Sequence, residues 1–168
     1  MYIAKISRKE DLNFPNATLI EEEPLIHDKK LERDYPQFSP DGKEVAFIED
    51  RNRLMVVNLD TKKVRQVTDG STWYTRSGGF DYSWSPDGKW FTLEFIGNKH
   101  DPYSDIGLVS ADGKGQIINL TNSGYTSGSP RWVMGGNAIL FITERYGMRN
   151  HASWGSLNDV MIAFLNQD

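Results

Sequence analysis

The chain is divided into short apolar segments by polar turns, and the same order of segments and turns recurs along it. Residues 45–48 form a continuous apolar run, which predicts a strand covered on both faces. The preceding Pro40-Asp41-Gly42-Lys43 predicts a tight turn, because proline presets φ and glycine accepts a positive φ. Residues 29–34 show only a weak helical period and are interpreted as a loop. The pattern therefore predicts an all-β protein.

A repeat extends through the whole chain. The segment Phe38-Ser39-Pro40-Asp41-Gly42-Lys43 returns 46 residues later as Trp84-Ser85-Pro86-Asp87-Gly88-Lys89, and a weaker copy contains Trp132, a further 48 residues on. Residues 64–68 also match residues 117–121, so each repeat covers four strands. A period of this length, made of short strands and tight turns, is typical of a β-propeller blade.

The predicted fold class is an incomplete β-propeller of about three four-stranded antiparallel blades, with both termini inside blades. The chain divides into the outer strands of a preceding blade (1–24, with strands at 2–6 and 17–21), two full blades (35–70 and 81–121) and an incomplete blade (129–168). Terminal blades expose strand edges and an apolar face, which predicts self-association.

The long connections are predicted to lie at one end of the blades. In an up-and-down blade, the first-to-second and third-to-fourth turns share one end, and the other connections share the opposite end. The turns are short, whereas the other connections are long, aromatic and titratable: 71–80, 98–104, 121–129 and 145–156. Loops on a rigid scaffold commonly carry binding residues. We therefore expect the loop side to be functional.

Arginine next to tryptophan and tyrosine indicates a recognition surface that can bind carboxylates in a bidentate manner. The candidate ligand-binding residues are Trp73, Tyr74, Arg76, His100, Tyr103, Arg131, Arg149, His151 and Trp154. The alternative is that these aromatic residues pack the loops onto the blades and that the histidines anchor loops by hydrogen bonds. Phe38, Trp84 and Trp132 share one repeat position, which favours packing between blades over a ligand platform.

Several kinds of chemistry have no support in the sequence. There is no Gly-x-Ser-x-Gly nucleophile motif, no cysteine and no histidine pair at metal-binding spacing, so no catalytic residue, cofactor or metal is predicted. Asp101, Asp105, Asp112 and Asp159 do not form a calcium loop and are interpreted as turn residues or residues that precede a strand.

Charge and hydropathy limit the partners. The net charge is −4, and no long block of Lys and Arg is present, which argues against nucleic acid. No apolar run approaches the roughly 18–20 residues that a membrane-spanning helix needs.

The repeats resemble those of TolB-like β-propellers. Longer phrases, at residues 98–107, 129–132, 146–155 and 159–168, are similar to the N-terminal propeller of bacterial tricorn-type serine peptidases. The resemblance covers nearly the whole chain but only part of such a propeller.

The resemblance implies a parent protein with a closed propeller and a separate peptidase domain. Its propeller would gate or dock peptides, and the partners would be a peptide or protein, the remaining blades and the peptidase domain. None of the family's catalytic motifs matches a position here, so we expect this chain to be catalytically inert. The resemblance favours the periplasm and leaves the cytoplasm open. The alternative is a TolB-like protein–protein interaction scaffold that belongs to no enzyme.

Overall fold

The computed structural model of the chain describes residues 1–28, 30–74, 78–97, 102–148 and 156–166. Within these ranges the strands form four antiparallel sheets in sequence order. The N-terminal hairpin contains β1 (Tyr2–Ile6) and β2 (Ile20–Pro24). The first sheet contains β3 (Arg33–Phe38), β4 (Glu44–Glu49), β5 (Arg53–Asn58) and β6 (Val64–Gln66). The second sheet contains β7 (Tyr82–Trp84), β8 (Trp90–Phe95), β9 (Asp105–Ser110) and β10 (Ile118–Asn119). The third sheet contains β11 (Ser127–Val133), β12 (Ala138–Thr143) and β13 (Asp159–Phe164). Short 3₁₀ helices lie at Phe14–Asn16 and Met134–Gly136.

The all-β prediction is confirmed, and β1 has the predicted bounds. The prediction for β2 was wrong by three residues, because Thr18 is held in the preceding loop, where its N–H donates to Asp11 Oδ2 (2.8 Å). The loop predicted at 29–34 was too long. Arg33 already pairs with Glu49 in the ladder, and the two side chains form an ion pair (2.9 Å).

The sheets pack face to face through their apolar side chains. Ile48 and Val56 of the first sheet meet Phe91 and Leu93 of the second in one buried cluster. A second cluster joins the second and third sheets, and its buried members are Ile106, Leu108, Ile139 and Phe141. Removal of this apolar surface from water is the main favourable contribution to the stacking.

The repeated aromatic position joins one sheet to the sheet before it. Trp84 Nε1 donates to the carbonyl of Gln37 (3.3 Å), and Trp132 Nε1 donates to the carbonyl of Ser83 (3.1 Å). The packing prediction is confirmed for these two residues. It was wrong for Phe38, whose side chain is 60% exposed. Among the described residues, the sheet before Phe38 has only β1 and β2, so no inner strand covers the phenyl ring.

The connections between strands lie at two opposite ends of the sheets, because successive strands are antiparallel. At the turn side, Leu59 N donates to Lys43 O and Ala111 N donates to Lys89 O, both at 2.9 Å. At the loop side, Ile96 N donates to the carbonyl of Thr72 (2.8 Å). These bonds agree with the predicted grouping of the connections, for the part of the loop side that the structure describes.

The outward face of the third sheet is apolar. Leu140, Val160, Ile162 and Phe164 are exposed on it, whereas the alternate residues of the same strands pack against the second sheet. Self-association through this face stays a prediction. No helix within the described ranges is long and apolar enough to cross a membrane.

Candidate functional site

Four of the predicted ligand-binding residues lie in the described part of the chain: Trp73, Tyr74, Tyr103 and Arg131. The other five, Arg76, His100, Arg149, His151 and Trp154, lie outside the described residues, so their roles stay predictions.

Trp73 packs its loop onto the sheets. Its ring lies 5.6 Å from Phe80, which in turn makes an edge contact with Tyr82 at 6.4 Å. Trp73 Nε1 and Tyr74 Oη are buried without a hydrogen-bond partner among the described residues. For Trp73 these contacts favour the alternative interpretation, in which the aromatic residues pack the loops. Tyr103, by contrast, is exposed.

Arg131, on β11, belongs to a polar cluster beside the first strands of the second and third sheets. We call β3, β7 and β11 the inner strands, because side chains link each to the next, as in the bond from Gln37 Nε2 to Tyr82 O (2.9 Å). At their loop-side end lies the inner-strand cluster, which comprises Asp81, Glu94, Ser129 and Arg131.

Two carboxylates in the inner-strand cluster hold the start of β11. Glu94 Oε1 accepts a hydrogen bond from Ser129 N (2.7 Å), and Asp81 Oδ2 accepts one from Ser129 Oγ (3.0 Å). Ser129 lies at a bulge and has a φ of +52°. A Cβ at the neighbouring Gly128 would lie 2.5 Å from Glu94 Oε1, so a larger residue there would force the Glu94 carboxylate to move. The cluster therefore joins the second sheet to the third.

Burial raises the pKa of Glu94 above its ordinary value, and the negative charge of Asp81 adds to the rise. The hydrogen bond from Ser129 N and the charge of Arg131 oppose it. Desolvation has the larger effect, because a buried carboxylate loses its hydration.

Glu94→Gln is expected to remove one component of the pH dependence of stability. A raised pKa in the folded state means that the folded chain binds more protons, so the stability contributed by Glu94 is complete below its ordinary pKa of 4.5 and is lost as the pH rises through the raised pKa. Urea unfolding from pH 4 to pH 8 measures this. The free energy of unfolding of the wild type should fall relative to that of the variant as the pH increases. A constant difference between the two proteins would contradict the shift.

Arg131 is an exposed member of the inner-strand cluster, as is Asp81. The Nη1 of Arg131 donates to the neighbouring carbonyl of Pro130 (3.0 Å), and the side chain is exposed. A guanidinium has five N–H donors in a planar fork that matches a carboxylate, so Arg131 can bind an anionic group that approaches along the inner strands.

A cleft on the turn side was missed by the sequence reasoning. It has a volume of about 520 Å³, lies between the second and third sheets, and is lined by Trp90 and Ile118 among others. The repeat places Glu44 and Arg65 at the corresponding positions of the first sheet, where they form a bidentate ion pair (2.5 and 2.6 Å). An alignment of the two repeats would have shown that these two charged residues of the first sheet are replaced by apolar residues in the second.

Asp105 was wrongly interpreted as a residue that only precedes a strand. Its side chain is fully buried and accepts hydrogen bonds from residues in and just after β10. Its Oδ1 accepts from Thr121 Oγ1 (2.6 Å) and Ser123 N (3.1 Å), and its Oδ2 accepts from Asn119 Nδ2 (2.9 Å). Asp112 does act in a turn, where it accepts from the N–H of Lys114 (3.0 Å). Within the described ranges, no group of three or more metal-ligating side chains could hold a metal ion.

Antiparallel sheets that follow one another in sequence, pack face to face and place their first strands side by side define part of a β-propeller. No protein-family model matches the chain.

Two curated relatives are peptidases or parts of peptidases. The chain is 27% identical over 116 residues to the uncharacterized peptidase YuxL of Bacillus subtilis, a match that covers 62% of this chain and 16% of the relative. It is 28% identical over 108 residues to a protein of Sulfurisphaera tokodaii described as a tricorn-like protease C-terminal subunit, covering 64% of this chain and 12% of the relative. The chain thus spans less than a fifth of either relative.

Solved structures confirm the fold and the predicted resemblance to both kinds of propeller. The tricorn protease aligns with a TM-score of 0.61 at 14% identity over 88% of this chain and 15% of its own. A protein described as TolB from Agrobacterium tumefaciens aligns with a TM-score of 0.58 at 21% identity, over 82% of this chain and 47% of its own.

Proposed function

We propose that the chain is a non-catalytic β-propeller segment of a larger tricorn-like serine peptidase, in which it binds or gates peptide substrate and contacts the other domains. The exposed guanidinium of Arg131 at the loop-side end of the inner strands carries the proposal. The peptidase relatives, of which the chain spans 16% and 12%, support it.

A peptide that passes along the inner strands would present a carboxylate to Arg131. Asp81 and Glu94 already accept hydrogen bonds from Ser129, so they hold β11 in place while Arg131 binds. Tyr103, on the loop side, offers an exposed ring for contact with the peptide. Arg76, His100, Arg149, His151 and Trp154 belong, by sequence, to the loop-side connections and are proposed to complete the surface, whereas Trp73 packs its loop onto the sheets.

Arg131→Ala is expected to weaken the binding of short acidic peptides about tenfold, because a charge-assisted hydrogen bond contributes more than a neutral one. Fluorescence anisotropy with a labelled acidic peptide measures the dissociation constant. Lys43→Ala removes one positive charge from the turn side and serves as the matched control. The proposal is wrong if both variants lose the same affinity, or if the wild type binds no peptide.

The proposed lack of catalysis has a direct test. Fluorogenic peptide and ester substrates should show no turnover above buffer with this chain. Hydrolysis that disappears in His151→Ala would contradict the proposal, because it would place catalytic chemistry in these 168 residues.

The second candidate function is a TolB-like interaction scaffold outside any enzyme. The turn-side cleft favours it, because the exposed side chains of Trp90 and Ile118 offer an apolar contact to another protein. The complete coding sequence separates the two candidates. A peptidase domain in the same reading frame supports the peptidase segment, and a reading frame without one supports the scaffold.

A further inference from the structure

The turn-side cleft between the second and third sheets has a counterpart one repeat earlier, between the first and second sheets. This counterpart cleft has a volume of about 630 Å³, and Arg65 and Ala111 are among the residues that line it. Arg65 Nε donates to the carbonyl of Ala111 (2.9 Å), while its Nη1 and Nη2 bind the carboxylate of Glu44. In the counterpart cleft, a guanidinium from one sheet therefore satisfies a carbonyl group of the next sheet.

In the turn-side cleft the arginine is absent but the acceptor remains. Ile118 occupies the position of Arg65 and has no side-chain donor. Leu165 occupies the position of Ala111, because the backbone N–H of each donates to the last turn residue before the second strand of its sheet (2.9 Å). Within the described ranges, no residue donates a hydrogen bond to the carbonyl of Leu165. The turn-side cleft therefore offers a free carbonyl where its counterpart has a bonded one.

Two further groups in the turn-side cleft favour a guanidinium. Trp90 occupies the position of Glu44 and is 37% exposed, and the face of an indole attracts a cation. Asp87 also lines the cleft, and the hydrogen bond from Ser85 Oγ lowers the pKa of its carboxyl, which is therefore ionised near neutral pH. Lys89 Nζ lies 3.9 Å from Asp87 Oδ2, and both side chains are exposed, so this ion pair is weak.

The two clefts differ in charge. The counterpart cleft is lined by Arg65, Lys89 and Lys114 as well as by acidic residues. The turn-side cleft is lined by Asp87 and, in the part of the chain that the structure describes, by no lysine or arginine. An arginine that enters the turn-side cleft therefore meets a negative charge and no positive charge in its lining.

The counterpart cleft shows that a complete neighbouring sheet does not close such a cleft. The second sheet has all four strands, yet no residue of β10 lines the counterpart cleft. The turn after β9 is closed by a bond from Gly113 N to the carbonyl of Ser110 (3.2 Å), and the turn after β5 by one from Lys62 N to the carbonyl of Asn58 (2.9 Å). Neither bond uses the carbonyl of the next residue. The turn-side cleft and its carbonyl therefore do not depend on the residues that follow β13.

We propose that the turn-side cleft binds an arginine side chain of a partner protein, which takes the place that Arg65 takes in the counterpart cleft. The guanidinium lies on the indole of Trp90, donates to the carbonyl of Leu165 and pairs with the carboxylate of Asp87. The exposed side chain of Ile118 packs against the methylene groups of the arginine. This inference goes beyond the proposed function, because the cleft lies at the opposite end of the sheets from Arg131 and binds a cation.

A peptide with the sequence of residues 64–67, Val-Arg-Gln-Val, and with both ends blocked tests the proposal on the full chain. The guanidinium is its only charge. NMR titration followed at the indole N–H of Trp90 should show saturable binding. The same peptide with citrulline in place of arginine keeps the shape and loses the charge, so it should bind about tenfold more weakly.

Two protein variants place the peptide in the cleft. Ile118→Arg supplies an arginine at the position of Arg65 and should abolish the shift that the peptide causes. Asp87→Asn should weaken binding about tenfold, because it removes the carboxylate charge. Asp41→Asn is the matched control, since Asp41 accepts from Ser39 Oγ (2.7 Å) and Lys43 N (3.1 Å) in the equivalent turn but does not line the cleft. It should leave the affinity unchanged.

Four results would overturn the proposal. The first is a peptide that does not shift the Trp90 indole resonance at millimolar concentration. The second is equal affinity for the arginine and citrulline peptides, which are compared on wild-type protein and so do not depend on the folding of a variant. The third is undiminished binding to Ile118→Arg. The fourth is a Trp90 resonance that shifts with protein concentration alone while the mass by light scattering doubles, which would make a second copy the occupant. None of these results bears on the acidic peptide at Arg131, so the two proposals can fail separately.

Discussion

Replacement of Phe91 by alanine is expected to lower the free energy of unfolding by about 4 kcal/mol, since it removes apolar contacts and leaves a cavity. Phe91 is fully buried between the first and second sheets, 4.1 Å from the ring of Trp84 and 5.9 Å from that of Tyr82. Urea denaturation followed by tryptophan fluorescence gives the value.

Phe38→Ala is the matched control, because it makes the same substitution at an exposed ring. Its side chain is mostly in water, so we expect a loss below about 1 kcal/mol. Equal losses at the two positions would mean that Phe38 is covered in solution and that the first sheet has an inner neighbour.

Asp105→Ala is expected to lower the free energy of unfolding by about 3 kcal/mol, because buried donors that served a charged acceptor lose their partner. Asn119, Thr121 and Ser123 all depend on this carboxylate. Since these residues lie in and just after β10, hydrogen exchange should accelerate there first, and unfolding in urea measures the total loss.

Asp159→Ala provides the comparison at the equivalent position of the third sheet. Its Oδ2 has no donor among the described residues, so the free energy of unfolding should change by less than about 1 kcal/mol. A loss as large as that of Asp105→Ala would show that Asp159 Oδ2 has a hydrogen-bond donor in solution.

The strand order could be predicted because the apolar runs and turn residues are local. The fourth strands are short for a reason that depends on contacts across the sheet. β6 ends at Gln66, because Val67 N and Thr68 N both donate to the carbonyl of Leu54 (2.8 and 3.3 Å) and leave the regular ladder. β10 is reduced to Ile118–Asn119 in the same way, near the bond from Leu120 N to Ile106 O (2.8 Å).

The polar sites could be predicted less well, because a carboxylate in a strand does not show its burial in the sequence. Glu94 interrupts the apolar strand β8, which was the one local signal, but its partner Ser129 lies 35 residues further on. For Phe38 the sequence predicted a packed side chain, and the structure shows an exposed one. Its repeat position indicated packing, whereas its exposure depends on which strands precede the first sheet.

The hydrogen bonds donated by the indole N–H groups of Trp84 and Trp132 limit how far local unfolding of one sheet destabilises the others. Each indole reaches only the sheet immediately before it, and each apolar cluster is shared by adjacent sheets. Cooperativity in such a stack is a nearest-neighbour property and decays with distance along the array. Opening of the third sheet therefore leaves the second sheet supported by the first.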